Sequence, residues 1–344
     1  MEAVPHDDVI KNRQGVVSRI KVASMALKLK SVGDPQPDRH GIASAWIQAF
    51  RLHYIPTSIF PAILGSIIAW ATIGEFHLWH FLLVIMGVTV NHMGLNMIDD
   101  VFDYRHAVDR SHGNKKNPYT GGSGVLTGKL LPAGYLLAAA ILCFAVTGIV
   151  ALYLTVTVGW AVLVFAAIGV ASSVLYTMPP VKYGYRGFGE LGLLINFGPV
   201  ICLGAYYVQT TSIAWEPFVI SLVPGFFMWS MIIINEIPDY EEDRQAGKMN
   251  LVARFGRKTG IVLYAVGLIG AYGTIILSAF SRVASFGVLP GLLTVPVAYS
   301  AFHLLTENYM QKLEMAAANR ATIKVHFLTL MCMIAGYMGA GVFQ

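Results

Sequence analysis

Two groups of acidic residues, each headed by an asparagine, carry the chemistry that this sequence most clearly indicates. The first lies in GLNMIDDVFDYRHAVD (94–109) and contributes Asn96, Asp99, Asp100, Asp103 and Asp109. The second lies in NEIPDYEED (235–243) and contributes Asn235, Asp239 and Asp243. Residues three, four, seven or eight positions apart share one face of a helix, so each group predicts a row of oxygen atoms. Carboxylates at this spacing repel each other, which favours a cation bound between them.

Mg²⁺ suits such residues because it prefers oxygen ligands and typically takes one or two carboxylates together with substrate phosphates. The two groups repeat with one separation, since Asp99 is as far from Asp239 as Asp103 is from Asp243. This repetition predicts two similar halves of the chain with a metal–diphosphate site between them. The plainer interpretation is that both groups are solvated helix ends. Pro238, inside the second group, predicts a bend or an end of the helix there.

The elements that must position these residues are membrane helices. A soluble domain carries about 25% charged residues, whereas only 12% of these 344 residues are charged and 56% are hydrophobic. Long apolar runs recur, and because they do not alternate with polar residues they predict helices rather than barrel strands. The predicted spans are 57–74, 80–97, 132–153, 155–177, 189–209, 216–236, 259–280, 286–306 and 323–343. The expected fold is therefore an all-α integral membrane bundle of nine transmembrane helices with a central cavity.

The positive charges predict how this bundle is oriented. Among the 24 Lys and Arg residues, only Arg282 and Lys324 lie outside the N-terminal 51 residues and the loops after even-numbered spans. Cytoplasmic loops carry the excess of Lys and Arg, so we expect a cytoplasmic N-terminus and cytoplasmic active-site loops in a multi-pass protein of the plasma or inner membrane. Residues 1–50 form a basic cytoplasmic tail in this scheme, and 51–344 form the membrane domain. Within the tail, 11–30 is either a basic amphipathic helix on the membrane surface or disordered.

The two acidic groups resemble the aspartate motifs of the UbiA superfamily of intramembrane prenyltransferases, and within it the MenA-like branch. The motifs of that family have the forms N-x3-D-x5-D and N-x3-D-x3-D. DYRHAVD (103–109) matches the end of the first motif, and NEIPDYEEDRQAGK (235–248) matches the second. One departure is that Asp99 stands where the first motif usually has its Asn, so this extra acid either binds metal directly or accompanies a different metal count.

Three further stretches extend the resemblance to roughly residues 45–343. They are FRLHYIPTSIFPAILGS (50–66), NPYTGGSGVLTGKLLP (117–132) and YTMPPVKYGYRGFGELGLLINFGPVICLGAYYV (176–208). The resemblance implies a Mg²⁺-dependent enzyme whose partners are a polyprenyl diphosphate, an aromatic acceptor and the lipid bilayer. The acceptor it implies is 1,4-dihydroxy-2-naphthoate, in menaquinone biosynthesis.

Site residues follow from the same resemblance. The carboxylates expected to hold metal and diphosphate are Asp99, Asp103, Asp109, Asp239 and Asp243, with Asn96 and Asn235 as neutral ligands or orienting groups. The expected substrate contacts are Lys182 with the diphosphate, Tyr176 with the developing carbocation and Arg51 with the acceptor carboxylate, with Arg186 and Lys248 as weaker candidates. Asp103, Asp239 and Lys182 are the expected catalytic residues. For the lysines and Arg186, a role as membrane-edge anchors is the alternative.

Three other functions could use some of the same sequence features. A family member with another acceptor, such as 4-hydroxybenzoate, homogentisate, a glyceryl phosphate lipid or a porphyrin, would carry the same motifs. A cation-coupled transporter would also need carboxylates, but it would place them near the bilayer midplane on broken helices, whereas these follow the ends of predicted spans. Nucleic-acid binding is not expected despite the pI of about 9.0, because the positive charge is spread over the loops at the membrane edge.

Overall fold

The described part of this chain is folded into helices. The computed structural model describes residues 39–106, 108 and 117–342, and no strand occurs in those ranges. In chain order the helices are α1 (Arg39–Phe50), α2 (Pro56–Ile73), α3 (Leu78–Arg105), α4 (Ala133–Thr157), α5 (Ala161–Leu175), α6 (Gly189–Thr210), α7 (Trp215–Ala246), α8 (Leu251–Phe255), α9 (Arg257–Phe280), α10 (Phe286–Asn308) and α11 (Met315–Val342).

The predicted all-helical membrane fold is confirmed, and each predicted span coincides with one helix. Eight of the described helices are long and apolar enough to cross a membrane, namely α2, α3, α4, α6, α7, α9, α10 and α11. The ninth, α5, has 15 residues and is about 22 Å long at 1.5 Å per residue. It is therefore shorter than the roughly 30 Å hydrocarbon core of a bilayer. The chain is a multi-span membrane protein.

The two helices that carry the acidic groups extend well past the C-terminal limits of their predicted apolar spans. Helix α3 continues to Arg105 and α7 continues to Ala246. The helix α7 does not end at Pro238, which lies inside it. The backbone is therefore helical from Asn96 to Asp103 and throughout the second acidic group, and these side chains keep the helical spacing that the sequence predicts.

The predicted N-terminal tail has a structured end. Residues Arg39–Phe50 form α1, and Ala45 and Ala49 are buried in one cluster with Met97 and Val101 of α3. The segment 11–30 lies outside the described residues. Packing against the end of α3 therefore brings the chain directly to Arg51, next to the first acidic group.

Close helix contacts hold the centre of the bundle. Gly65 of α2 lies against the Cys202 carbonyl of α6 so closely that a Cβ atom would overlap it. Small residues allow such approaches between membrane helices. Among the described spans, α6 and α7 are the most buried, with 67% of their most apolar 18-residue segments enclosed by the rest of the protein. Helix α6 also contains a π-helical turn at Asn196–Val200. The two most enclosed helices thus border the cavity described next.

Candidate active site

A cavity of about 920 Å³ lies between the ends of α3 and α7. Carboxylates from both acidic groups line it, together with apolar side chains such as Leu95, Phe197 and Met231. The predicted site residues in its wall are Arg51, Asn96, Asp99, Asp103, Tyr176, Asn235, Asp239, Asp243 and Lys248. The structure therefore brings together most of the residues that the sequence analysis selected, although they come from distant parts of the chain.

Asp103 has both carboxylate oxygens engaged. The Tyr185 hydroxyl donates to Oδ1 at 2.6 Å, and the Lys248 ammonium donates to Oδ2 at 2.7 Å. Burial acts to lower the pKa of Lys248, but the carboxylates of Asp103, Asp243 and Asp99 raise it well above its ordinary value. Burial and the neighbouring Asp103 carboxylate raise the pKa of Tyr185. Both donors therefore keep their protons at neutral pH and orient Asp103.

Asp99 is the second carboxylate of the first group in the cavity wall. Its Oδ2 lies 3.9 Å from the Arg51 guanidinium, and its buried Oδ1 has no hydrogen-bond partner among the described residues. Arg51 adopts a left-handed backbone conformation, with φ of 50°, which non-glycine residues seldom adopt outside special sites. The adjacent Asn96 donates its amide to the Phe50 carbonyl at 3.0 Å.

Asp100 points elsewhere, although it follows Asp99 directly. Its Oδ1 accepts the Ser123 N–H at 2.9 Å, in the loop between α3 and α4. Successive helical residues are about 100° apart around the axis, at 3.6 residues per turn. Asp99 therefore faces the cavity while Asp100 faces the loop.

The second acidic group is held by a different set of partners. Asp239 Oδ2 accepts the Gly121 N–H at 2.9 Å, and Lys312 Nζ lies 3.0 Å from Asp239 Oδ1. Lys312 also donates to Glu242, at 2.5 Å. Burial acts to lower the pKa of Lys312, but the Asp239 carboxylate and the bond to Glu242 raise it. Lys312 was missed by the sequence analysis, where it counted only as one positive charge in a loop.

Two further residues of the second group line the cavity. Asp243 Oδ2 accepts the Asn250 side-chain amide at 2.6 Å, and Asn250 also caps α8 by accepting the Ala253 N–H. Asn235 donates to the Tyr54 hydroxyl at 3.3 Å and accepts from the side-chain amide of Asn319 at 2.7 Å. Asn319, on α11, was also missed, although a polar residue inside a membrane span is itself a signal of function.

The remaining predicted residues have varied positions. Lys182 Nζ lies 3.1 Å from His106 Nε2 and 4.9 Å from the centre of the Tyr185 ring. Arg186 donates to the Pro180 carbonyl at 2.8 Å in an exposed position. Neither is among the described residues that line the cavity. Tyr176 lines it, and burial raises its pKa. Asp109 lies outside the described residues.

The donor set suits Mg²⁺. Oxygen atoms from two helices face one cavity, and the Asp99 Oδ1 atom is buried without a partner among the described residues. Within the described ranges, no three His, Cys, Asp or Glu side chains are placed to hold a metal ion by themselves. This agrees with the usual Mg²⁺ arrangement, in which one or two carboxylates act together with substrate phosphates.

An apolar cavity of about 770 Å³ adjoins the polar one, and His92, Leu95 and Phe197 line both. His92 shares a hydrogen bond of 2.6 Å with Ser58 at this junction. The apolar cavity extends along α3 from Leu95 to Leu83, which is about 18 Å at the helical rise. The two cavities together match a molecule with an anionic head and a long apolar tail.

Comparison with known proteins gives the same picture. Residues 58–341 match the model of the UbiA prenyltransferase family. The sequence is 24% identical over 296 residues to the 2-carboxy-1,4-naphthoquinone phytyltransferase of Synechocystis sp., covering 86% of this chain and 94% of that protein. It is 23% identical over 297 residues to the 1,4-dihydroxy-2-naphthoate octaprenyltransferase of Bacillus subtilis, covering 86% of this chain and 93% of that protein.

The fold is also shared with a solved structure. A UbiA homologue from Archaeoglobus fulgidus, bound to GPP and Mg²⁺, superposes with a TM-score of 0.59 at 15% sequence identity. The superposition covers 87% of this chain and 99% of that chain. At this level of identity the likeness concerns the fold.

Proposed function

This chain belongs to the UbiA prenyltransferase family, and from that premise we propose that it transfers a polyprenyl group from its diphosphate to 1,4-dihydroxy-2-naphthoate, with Mg²⁺, in menaquinone biosynthesis. The alternative of a cation-coupled transporter is set aside by the family. The observation that carries the proposal is the joining of a carboxylate-lined cavity to an apolar one at His92, Leu95 and Phe197. The names of the two relatives, both acting on naphthalene-derived acceptors, support the choice of acceptor.

The reaction requires the bond between the prenyl C1 atom and the diphosphate oxygen to break, with its electron pair leaving on the diphosphate. A ring carbon of the acceptor then forms the new bond to C1 and loses its carboxylate as CO₂. Bound Mg²⁺ would neutralise charge on the diphosphate and so improve it as a leaving group. We assign Asp99, Asp103, Asp239 and Asp243 to holding the Mg²⁺ that would bind the diphosphate, and we keep Asp109 as a prediction.

Other residues of the cavity wall serve binding. The Lys248 ammonium lies among the carboxylates and is the cation best placed to bind a diphosphate oxygen. The Tyr176 ring lies at the cavity wall with Tyr183 packed edge-on at 5.4 Å, where an aromatic face stabilises a cation. Asn96 and Asn235 orient the two acidic groups, and Arg51 is assigned to the acceptor carboxylate. Lys182 and Arg186 are retained as candidate diphosphate contacts.

The apolar cavity predicts which donors the enzyme accepts. Gly87 of α3 lines the apolar cavity, and a Cβ atom there would make only ordinary contact, at 3.5 Å from Val150. Gly87→Phe should therefore place a ring in the cavity, so that turnover of a long prenyl donor falls roughly tenfold or more, which corresponds to about 1.4 kcal/mol or more. Turnover of geranyl diphosphate should be retained.

Gly148→Phe is the matched control, because nothing lies within 4 Å of a Cβ atom at Gly148 of α4. Each variant is assayed with donors of increasing chain length. Equal losses with short and long donors in Gly87→Phe would place the tail elsewhere.

The proposed function is tested with an acceptor panel. The purified protein is given Mg²⁺, a long prenyl diphosphate and one acceptor at a time, and products are detected by mass. We expect a prenylated product from 1,4-dihydroxy-2-naphthoate that is lost when EDTA removes the metal. Product from another acceptor alone would move the protein to a different pathway. Product that persists in EDTA would contradict the metal dependence.

We also propose that the cavity opens on the cytoplasmic side of the plasma or inner membrane, with residues 1–50 as a cytoplasmic tail and 51–344 as the membrane domain. The distribution of Lys and Arg supports this orientation. A reporter protein that is active only outside the cytoplasm, fused after α11, should be active. An inactive reporter there, with an active one at the N-terminus, would reverse the orientation.

A further inference from the structure

The loop between α3 and α4 makes direct contact with both acidic groups. We call residues 117–125 the glycine-rich loop. Its Gly121 N–H donates to Asp239 at 2.9 Å, and its Ser123 N–H donates to Asp100 at 2.9 Å. Asp239 lies on α7 and Asp100 on α3, so this short segment spans from one acidic helix to the other.

The backbone of this loop depends on its glycines. Gly121, Gly122 and Gly124 have φ values of 67°, 66° and 84°, in the left-handed region that costs a residue with a Cβ atom about 1–2 kcal/mol. In this conformation the Gly121 and Ser123 N–H groups point towards carboxylates, as backbone N–H groups do in the concavities that bind anions. The loop therefore has a defined conformation that presents donors to both groups.

A pair of buried asparagines anchors the start of the loop. The Asn117 side-chain amide donates to Asn319 Oδ1 at 3.1 Å and to the Lys312 carbonyl at 3.1 Å, and its Oδ1 accepts the Tyr119 N–H at 3.0 Å. Asn319 donates in turn to Asn235 Oδ1 at 2.7 Å and to the Ile234 carbonyl at 3.3 Å. Asn117 is 0% and Asn319 1% exposed.

These contacts form one connected network, which we call the amide bridge (Asn117, Asn319 and Asn235). Each donor and acceptor of the Asn117 and Asn319 side chains has a partner, either within the bridge or on the neighbouring backbone. A buried polar network in which every group is satisfied rigidifies its surroundings. The bridge joins the glycine-rich loop to α11 and to the residue that heads the second acidic group.

We propose that Asn319 is a positioning residue for prenyl transfer: through the amide bridge it holds the glycine-rich loop in place, and the loop sets the spacing between the two acidic groups. The inference rests on the proposed function, because the spacing matters only if both groups bind one diphosphate and its metal. Asn319 acts through Asn235 and Asn117 and is assigned no contact with the substrate. Asn117 of the bridge also donates to the backbone carbonyl of Lys312, and the side-chain ammonium of Lys312 lies beside Asp239.

The test compares Asn319→Ala with Thr322→Val in the full-length protein. Thr322 lies one turn further along α11, is 1% exposed, and bonds to the Tyr264 hydroxyl at 2.8 Å in the core of the bundle. Both substitutions remove one buried polar side chain from the same helix. Three quantities are measured: the KM for each substrate, the Mn²⁺ affinity in the presence of inorganic diphosphate by electron paramagnetic resonance, and the unfolding temperature.

We expect Asn319→Ala to raise the KM for the prenyl diphosphate and to weaken Mn²⁺ binding, each about tenfold, the scale of losing a buried hydrogen bond. The KM for the acceptor should change less than about twofold. Thr322→Val should lower the unfolding temperature without moving either affinity. If the two variants lose stability alike and both keep wild-type affinities, Asn319 is only structural and the proposal is wrong.

A double-mutant cycle tests whether the effect travels through the bridge. Asn117→Ala breaks the same bridge from the loop side, and the combination of Asn117→Ala with Asn319→Ala should be no worse than either single variant. Additive losses would mean that the two residues act separately and would overturn the proposal. If Asn319→Ala does not reach the membrane, the affinities of Asn117→Ala decide the question by the same criteria.

The metal readout separates this proposal from the proposed function. A wild-type protein that binds Mn²⁺ with diphosphate but prenylates no acceptor would contradict the proposed acceptor, and the comparison of Asn319→Ala with Thr322→Val would still be decisive. A wild-type protein that binds no Mn²⁺ with diphosphate would overturn both.

Discussion

Asp239→Asn should lower the rate of prenyl transfer by roughly 10²- to 10³-fold, which is the loss seen when one electrostatic stabiliser is removed from an active site. The change removes the negative charge while keeping the size of the side chain. The one side-chain oxygen that remains can take the place of Asp239 Oδ2, which now accepts the Gly121 N–H at 2.9 Å, so the loop should stay in place. Asp103→Asn should have a similar effect, because the Asp103 carboxylate also lines the cavity.

Glu241→Gln is the control for Asp239→Asn. Glu241 lies two residues further along α7, its side chain is 63% exposed, and its carboxylate lies 3.7 Å from the Arg257 guanidinium. Turnover is measured with saturating substrates, and membrane insertion is checked by yield and unfolding temperature. Near-wild-type turnover in a variant with both Asp103→Asn and Asp239→Asn would remove the assignment of these aspartates to metal and diphosphate.

Lys248→Met should raise the KM for the prenyl diphosphate and destabilise the protein. The side chain is only 13% exposed and lies 2.7 Å from Asp103. Removing one partner of a buried ion pair costs about 3 kcal/mol or more, because the other charge is left unpaired. A bound diphosphate would also lose its cation, so a KM increase of roughly 10- to 100-fold is expected, equivalent to about 1.4 kcal/mol for each factor of ten.

Two other lysines make this result interpretable. Lys258→Met removes an exposed positive charge from α9 and should leave the KM unchanged. Lys182→Met tests the contact implied by the family resemblance, and we expect a smaller effect than for Lys248→Met, because Lys182 lies beside His106 and Tyr185 rather than in the cavity wall. An equal or larger KM increase in Lys182→Met would return the main diphosphate contact to Lys182.

The sequence by itself determined the class of fold and the identity of most of the charged residues in the cavity wall. Apolar runs of about 20 residues have few alternatives to membrane helices, because every backbone group must be hydrogen-bonded within the bilayer. The helical period then places Asn96, Asp99 and Asp103 on one face, and all three line the cavity. These are local properties, so they can be read from neighbouring positions in the chain.

Only the tertiary structure decided which partners each of these residues meets. The partners of Asp103 are Tyr185 and Lys248, and those of Asp239 are Gly121 and Lys312, all from distant segments. No periodicity connects such positions, since helix packing and the course of the loops bring them together. Asp99 and Asp100 are adjacent residues with the same side chain. Their roles differ because the packing of α3 turns Asp99 towards the cavity and Asp100 towards the glycine-rich loop.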